Sequence, residues 1–573
     1  MSGTDAPKSA CNLCRHRKIR CDRAKPACEN CRLAGVACVF SPLPQRKSPR
    51  EQLEEAKAQI KQLKEALRLE RDGQHRSQYS TPAPTPISLF DPCGFETTID
   101  AFRWHLQFCT PGVDPDKRLD SLFDFDAFSC GLKQSLDSPQ TPAKVITPKW
   151  PSRLMMQQSL EYFENNKLYA IFPMVDTVAL KRILDTELDS ASQACLTALT
   201  AFITRLRRHE PAFSEADSCA YMQAVLSMLP QLVMEHTNIR VLEALMILAL
   251  DLAPQGQPQT AELLMSLAVR ILYNLKGNLT NPMHLNSQAS LDPEQVRLHH
   301  HLRALFWVVY AIDKEMSLRR CQPPIINDAD CDLDLPATYV SIKSDHQFFH
   351  SPLSLQELLY PTDLRLAVLK SKIYRLLYSS SSLRLPESTR LHLIRQLDEE
   401  LGELKSQFPA VCQPDIYAKG DVPDSLLHDL SLRGVNTHLE YYHCLSKIHG
   451  ACISGSGSAM RNLSPPSSSI ELCYQACRST LLYICRIYHL VMKETFWIYA
   501  QFIFTAVFAL YQRITMNNFG YPVHEDLRLL EKVHGIFVNL RDADGGGFPP
   551  FAVSEALIRS LVTSVNGGHE ENR

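Results

Sequence analysis

The sequence predicts a small, cysteine-stabilised N-terminal head, a short parallel coiled coil and a large all-α body. Three observations carry that expectation. Six of the nineteen cysteines crowd into residues 11–38. Apolar residues then recur every seven positions from Leu53, and from Trp150 onward apolar residues three and four apart dominate, with little strand alternation. At 573 residues the chain exceeds what one compact core accommodates, so a large domain with smaller parts and linkers is expected.

The formal net charge of -2 conceals an asymmetry. Residues 1–50 carry eleven Lys or Arg against Asp5, Asp22 and Glu29, a balance of +8, so the remainder carries -10. A basic head on a mildly acidic body points to a polyanionic partner for the head alone. The N-terminal MSGTDAPKSACN has no apolar run of signal-peptide type, and the longest apolar segment, FWIYAQFIFTAVFALY (496–511), is short for a membrane span and interrupted by Gln501 and Thr505. It reads as a buried helix. No membrane partner is expected, and in a reducing interior clustered cysteines are thiols or metal ligands.

The stretch CNLCRHRKIRCDRAKPACENCRLAGVAC (11–38) is a repeat: CxxC, six residues and Cys, then six residues and the same pattern again. Thiolate is the preferred ligand of structural tetrahedral zinc. Two such ions need eight ligand positions, which six cysteines supply if two of them bridge both metals. The alternatives are a disulfide knot, for which six cysteines allow 15 pairings, and a metal site without a nucleic-acid role. The run Arg15, His16, Arg17, Lys18, Ile19, Arg20 weighs against the latter, because the matching segment Arg32 to Ala37 holds a single cation. If each CxxC opens a short helix, the two halves share a shape and only the first is charged for the major groove. There Lys and Arg donate to the O6 and N7 edge of guanine while neighbouring cations hold phosphates. Asp22 to Pro26 forms the connecting loop.

These residues resemble the fungal binuclear zinc cluster transcription factors of the galactose-regulator type. CNLCRHRKIRC follows that family's CxxCRxRKxKC, with Arg20 replacing the second lysine, and Pro26 lies before the fourth cysteine. The resemblance implies two Zn2+ per chain held by Cys11, Cys14, Cys21, Cys28, Cys31 and Cys38. Together with the repeat's symmetry it makes Cys11 and Cys28 the bridging pair, with Cys14 and Cys21 completing one site and Cys31 and Cys38 the other. It also implies that Lys18 contacts bases, commonly the guanines of CGG triplets, a role that extends to Arg17, with Arg15, His16 and Arg20 completing the DNA-binding set. For Arg15, Arg23 and Lys25 the plain alternative is a solvated charge touching phosphate at most.

The head is expected over residues 8–40, followed by a proline-rich extended linker at 41–50. Over 51–72, Leu53, Ile60 and Leu67 at a, with Ala56, Leu63 and Glu70 at d, form a heptad seam. The e positions are Lys57, Lys64 and Arg71, and the g positions Gln52, Gln59 and Ala66. A parallel pair sets g against e′, whereas an antiparallel pair would stack cation on cation. A parallel homodimer through Leu53, Ile60, Leu63 and Leu67 follows, weakened by Ala56 and Glu70. The alternative is a single amphipathic helix docked on the body. Residues 73–90 form a Pro/Ser/Thr-rich linker. Residues 91–149 form a partly disordered acidic and aromatic segment, in which SLFDFDAFSC (121–130) is a candidate coactivator contact or simply a surface strand or turn.

Residues 150–565 are expected to be all-helical. In LDPEQVRLHHHLRALFWVVYAIDKEMSLRR, Asp292 caps, Pro293 suits the first turn, Gln295 completes a capping box, and Val296, Leu302, Leu305, Phe306 and Val309 line one face. His299, His300 and His301 cannot converge on one ion, because consecutive helical side chains diverge by about 100 degrees, so they read as partly exposed. Cys473 and Cys477 read as core. EYFENNKLYAIFPMVD (161–176), FWVVYAIDKEMSL with PPIINDADCDLDLP (306–336) and LEYYHCLSKIH (439–449) resemble the same family's helical middle domain, which departs here from a frequent GRPP at Cys321, Gln322, Pro323, Pro324. No GxSxG, HExxH, phosphate-loop or dinucleotide motif is present, so an enzyme is not expected. The expected function is a nuclear, zinc-dependent, sequence-specific regulator of RNA polymerase II genes that binds double-stranded DNA as a dimer at CGG-like triplets and activates a metabolic or biosynthetic gene set. Two alternatives are an effector-sensing repressor and a small-molecule sensor localised by the cluster, since a helical body can enclose an effector pocket.

Overall fold

In a computed structural model the described residues are 10–40, 148–207, 210–235, 238–280, 293–336, 339, 358–408, 413–415, 432–452, 467–493, 495–515, 523–545 and 548–570. The chain divides into two units, Met1–Ile87 and Ser88–Arg573. The linkers at 41–50 and 73–90, the zipper residues Leu53, Ile60, Leu63 and Leu67, and the acidic and aromatic stretch 121–130 lie outside the described residues.

The head contains two five-residue helices, α1 (Asn12–His16) and α2 (Glu29–Leu33), each entered through an extended cysteine, Cys11 or Cys28. Its interior consists of Cys11, Cys14, Cys28 and Cys31, with Leu13, Cys21, Cys38 and Phe40 against them. So few apolar groups cannot offset the ordering of about thirty residues, which is why a domain of this size needs metal or covalent staples.

The body begins with α3 (Arg153–Asn165), α4 (Thr177–Leu184), α5 (Ser190–Leu206), α6 (Ser218–Glu235), α7 (Ile239–Leu252) and α8 (Pro258–Asn274). It continues through α9 (Pro293–Arg320), α10 (Leu364–Ile373), α11 (Glu387–Ser406), α12 (Leu432–Gly450), α13 (Ser467–Ile487), α14 (Phe496–Thr515), α15 (Val523–Asp544) and α16 (Pro549–Glu570). Among the described residues the only β pairing is an isolated bridge between Tyr339 and Leu358. Several helices start where a short polar side chain takes up a free backbone amide: Ser152 accepts from Met155, Asp176 from Ala179, Asp189 from Ser192 and Asn238 from Val241.

Two apolar cores organise the body. In the first, α5 packs on α3, α6 and α7, and α7 on α8, joining Leu199, Ile203, Leu245 and Leu272. In the second, α13 packs on α12, α14 and α15, and α15 on α16, joining Leu439, Tyr483, Phe504 and Leu557. Helix α9 serves both, with Leu302 to Ala311 in the first and Leu318 in the second. The expected single apolar face of α9 is therefore corrected. Val296 is 36% exposed, whereas every residue from His301 through Ala311 is buried. A helix walled in on all sides has no polar face for periodicity to reveal.

His301 is a correction too. It is buried and sits between the Tyr169 hydroxyl and the Glu243 carboxylate, each 2.9 Å away. Burial raises the Glu243 carboxyl, but the His301 hydrogen bond and the Arg240 guanidinium outweigh it and hold the group below its usual range. Near Leu318 the buried Lys370 ammonium pairs with Glu315 and, at 3.1 Å, with Glu440. Cys473 and Cys477 are buried core residues, and the 496–511 run lies within α14, nearly all of it buried. Among the described residues no helix is long and apolar enough to cross a membrane.

Candidate metal centre and nucleic-acid interface

The six cysteines of the head converge. Cys11, Cys14, Cys21 and Cys28 form one group of four sulfurs and Cys11, Cys28, Cys31 and Cys38 another, each with its sulfurs within 4.8 Å of one another, and the two groups share Cys11 and Cys28. The Sγ atoms of Cys11 stand 3.6 Å from those of Cys28 and Cys31, and Cys14 Sγ is 3.7 Å from Cys28 Sγ. A disulfide needs about 2.0 Å. A tetrahedron of thiolates with zinc–sulfur bonds of about 2.3 Å has edges of about 3.8 Å, so the donor set fits that metal. Left to themselves the sulfurs conflict: the Cys14 amide draws the Cys11 thiol down to about 6, while burial and the neighbouring sulfurs push Cys14 up to about 12. A cation among them lets all six be thiolates.

The sequence repeat is also a structural one, with an offset of 17 residues. Arg15 N donates to Cys11 O and Arg17 N to Leu13 O, as Arg32 N does to Cys28 O and Ala34 N to Asn30 O. Each helix then closes through a left-handed residue, Lys18 (φ 52°) in the first half and Gly35 (φ 63°) in the second. Their amides return to Arg15 O and Arg32 O, and the next amides, of Ile19 and Val36, reach Cys14 O and Cys31 O. Even the entry to each helix matches. Asn12 N donates to Val39 O at 2.9 Å, and its counterpart Glu29 N donates to the carboxylate of Asp22, the residue equivalent to Val39.

The candidate DNA contacts differ in availability. His16, Arg17, Lys18 and Arg20 are exposed. Arg15 is half-buried and its guanidinium donates to the Ala10 carbonyl at 3.0 Å, tying down the entering chain. In the second half the single cation, Arg32, is paired with Glu29 at 2.6 Å. Sequence reasoning left two residues out. Asp22, read only as loop, accepts the first amide of α2, and Asn30 on α2 reaches across to Arg20 O at 2.8 Å and towards Cys14 Sγ at 3.7 Å. Aligning the two halves would have signalled both, since Asp22 stands opposite Val39 and Asn30 opposite Leu13; the partner that Asn30 finds, Arg20 O, is not given by that alignment.

Comparison with known proteins agrees with this geometry. Residues 9–48 match the fungal Zn(2)-Cys(6) binuclear cluster domain, and residues 171–406 match the fungal specific transcription factor domain. The chain is 22% identical to an ABC-transporter-regulating transcription factor of Aspergillus oryzae, over 94% of this chain and 71% of that protein. It is 22% identical to a protein of the same description from Aspergillus fumigatus, over 77% of this chain and 58% of that protein. Its resemblance to the azaphilone cluster-specific transcription factor azaR of Aspergillus niger is local, 44% identity over 12% of this chain and 14% of that protein. A cluster of this type binds two zinc ions. Six converging thiols ahead of a helical body matched over most of its first core give the chain a fungal Zn(2)-Cys(6) binuclear cluster domain followed by a fungal specific transcription factor domain.

Proposed function

We propose that this chain is a nuclear, sequence-specific transcription regulator that holds two zinc ions in its head, reads CGG-like triplets with Lys18, and binds as a dimer through Leu53, Ile60, Leu63 and Leu67. Cys11 and Cys28, shared by the two groups of sulfurs, would hold both ions, with Cys14 and Cys21 completing one site and Cys31 and Cys38 the other. Bound zinc supplies structure alone, because four thiolates close each tetrahedron and leave no open position for a substrate. The observation that carries the reading is the exposed cationic turn Arg17, Lys18, Arg20, fixed at its start by hydrogen bonds to Arg15 O and Cys14 O of the sulfur cluster. Arg20 holds phosphate while Lys18, and Arg17 beside it, donate to guanine. The descriptions of the Aspergillus relatives, regulation of ABC transporters and specificity for an azaphilone cluster, favour transporter or biosynthetic genes as targets.

Selection of bound sequences from random duplex DNA by the zinc-loaded full chain tests this. Enrichment of CGG-like triplets in pairs is expected; a pool without enrichment refutes it. Affinity should fall steeply with salt, with a log–log slope of about -0.9 for each phosphate neutralised.

A further inference from the structure

Asn30 lies on α2 directly before Cys31, yet its side chain serves the other half of the head. Nδ2 donates to the carbonyl oxygen of Arg20 at 2.8 Å and approaches the Sγ of Cys14 at 3.7 Å. Both acceptors matter. Arg20 O is the last carbonyl of the basic segment before Cys21, and Cys14 belongs to only one of the two four-sulfur groups. The segment Lys18 to Arg20 is held at its start by backbone bonds from Lys18 N to Arg15 O and from Ile19 N to Cys14 O. Asn30 holds its other end. The residue equivalent to Asn30 in the first half is Leu13, which has no side-chain amide to return, so the clamp runs one way, from the half with the paired cation to the half with the exposed Arg17, Lys18 and Arg20.

We infer that Asn30 is a positioning residue for DNA recognition, pinning the Arg20 carbonyl and the Cys14 sulfur so that the Lys18 turn is presented to the bases in one geometry. The inference rests on the reading of Lys18 and its neighbours as the DNA-contacting turn. A hydrogen bond to a metal-bound thiolate is charge-assisted, and such outer partners orient the ligands they touch. The carbonyl bond removes freedom from a turn that would otherwise be ordered only on binding, at a cost in affinity for the one arrangement that fits the bases.

The test uses the zinc-loaded full chain and two variants, Asn30→Leu, which installs the side chain of the equivalent position, and Asn30→Asp, isosteric but without a donor. The quantity read is affinity for the selected duplex divided by affinity for a scrambled one. Both variants should retain two zinc ions per chain and lose roughly tenfold in that ratio, the worth of one well-placed hydrogen bond. In the cadmium-substituted chain, 113Cd NMR should show one of the two metal signals shifted by either variant and the other unmoved, because Cys14 serves one site only. A role in mere stability would lower zinc content, or weaken both duplexes equally, or move both signals; any of these overturns the inference. So does a ratio within twofold of wild type. If the wild-type chain itself does not discriminate, the proposed function fails first, and the NMR arm still decides whether Asn30 touches a single metal site.

Discussion

Lys18 and Gly35 occupy the same place in the two halves of the head, at φ 52° and 63°, and the amide after each reaches back to the second cysteine of its CxxC pair. Glycine takes up this left-handed backbone without steric cost, while an L side chain there costs about 1 kcal/mol. The second half is thus the relaxed version of the turn, with its one cation neutralised by Glu29. The first half accepts strain at the residue proposed to contact a base, and keeps Arg17 and Arg20 exposed beside it. Strain that persists where an unstrained alternative stands 17 residues away is what a functional constraint produces.

The comparison can be broken outright by removing what both halves share. Cys14→Ala, or chelation of the zinc-loaded chain, should unfold the head and abolish DNA binding, because the binding energy of structural zinc, on the order of 10 kcal/mol, is folding energy in so small a domain. Elemental analysis with a DNA titration checks it; two zinc ions and intact affinity in Cys14→Ala would mean the ligand set is wrong.

The next effect separates the halves. Lys18→Ala should keep its zinc and lose about 1–3 kcal/mol of discrimination between the selected triplet and a changed one. Arg32→Ala, which removes an exposed and already paired cation, should change either affinity by less than about 0.5 kcal/mol. Equal losses in fluorescence titrations of the two variants would erase the division of labour. Between them lies Arg20→Ala, expected to weaken all duplexes alike and to reduce the magnitude of the salt slope by about 1.

Exchanging the turn residues sharpens the comparison further. Lys18→Gly should stabilise the head by up to about 1 kcal/mol while destroying discrimination, and Gly35→Lys should destabilise it by a similar amount without creating a second reader. Thermal unfolding of the zinc-loaded chain measures both, and a Lys18→Gly head less stable than wild type would remove strain from the account. The smallest effect is in the body, where Cys321 closes α9 at φ 51° in the position of the glycine in the related GRPP segment. Gln322 N returns to Ser317 O there, and Lys447 Nζ lies 3.5 Å from the Cys321 sulfur. Cys321→Gly should change body stability by a gain of at most about 1 kcal/mol, reduced by loss of that contact, as read from its melting temperature.

Much of this was legible in residues 11–38 because metal ligation and helix closure are local there. The CxxC repeat gathers six sulfurs into one short stretch, and the uneven cations mark the half proposed to face DNA. The body was legible as helices, whose N-caps at Ser152, Asp176, Asp189 and Asn238 are encoded within three residues of the amides they bind. It was not legible in how they assemble. Helix α9 looked one-faced because periodicity sees only a contrast between faces, and His301 looked exposed because its partners, Tyr169 and Glu243, lie 132 and 58 residues away.

Local residue order suffices for a sulfur-rich head, the asymmetry of its two halves and a helical body, since each depends on residues within a few turns of one another. Long-range packing is what brings Asn30 into the opposite half and sets α9 between two cores with ion pairs buried beside it. Those contacts join side chains whose meeting is set by packing, and no local spacing specifies which distant surface a buried group will face.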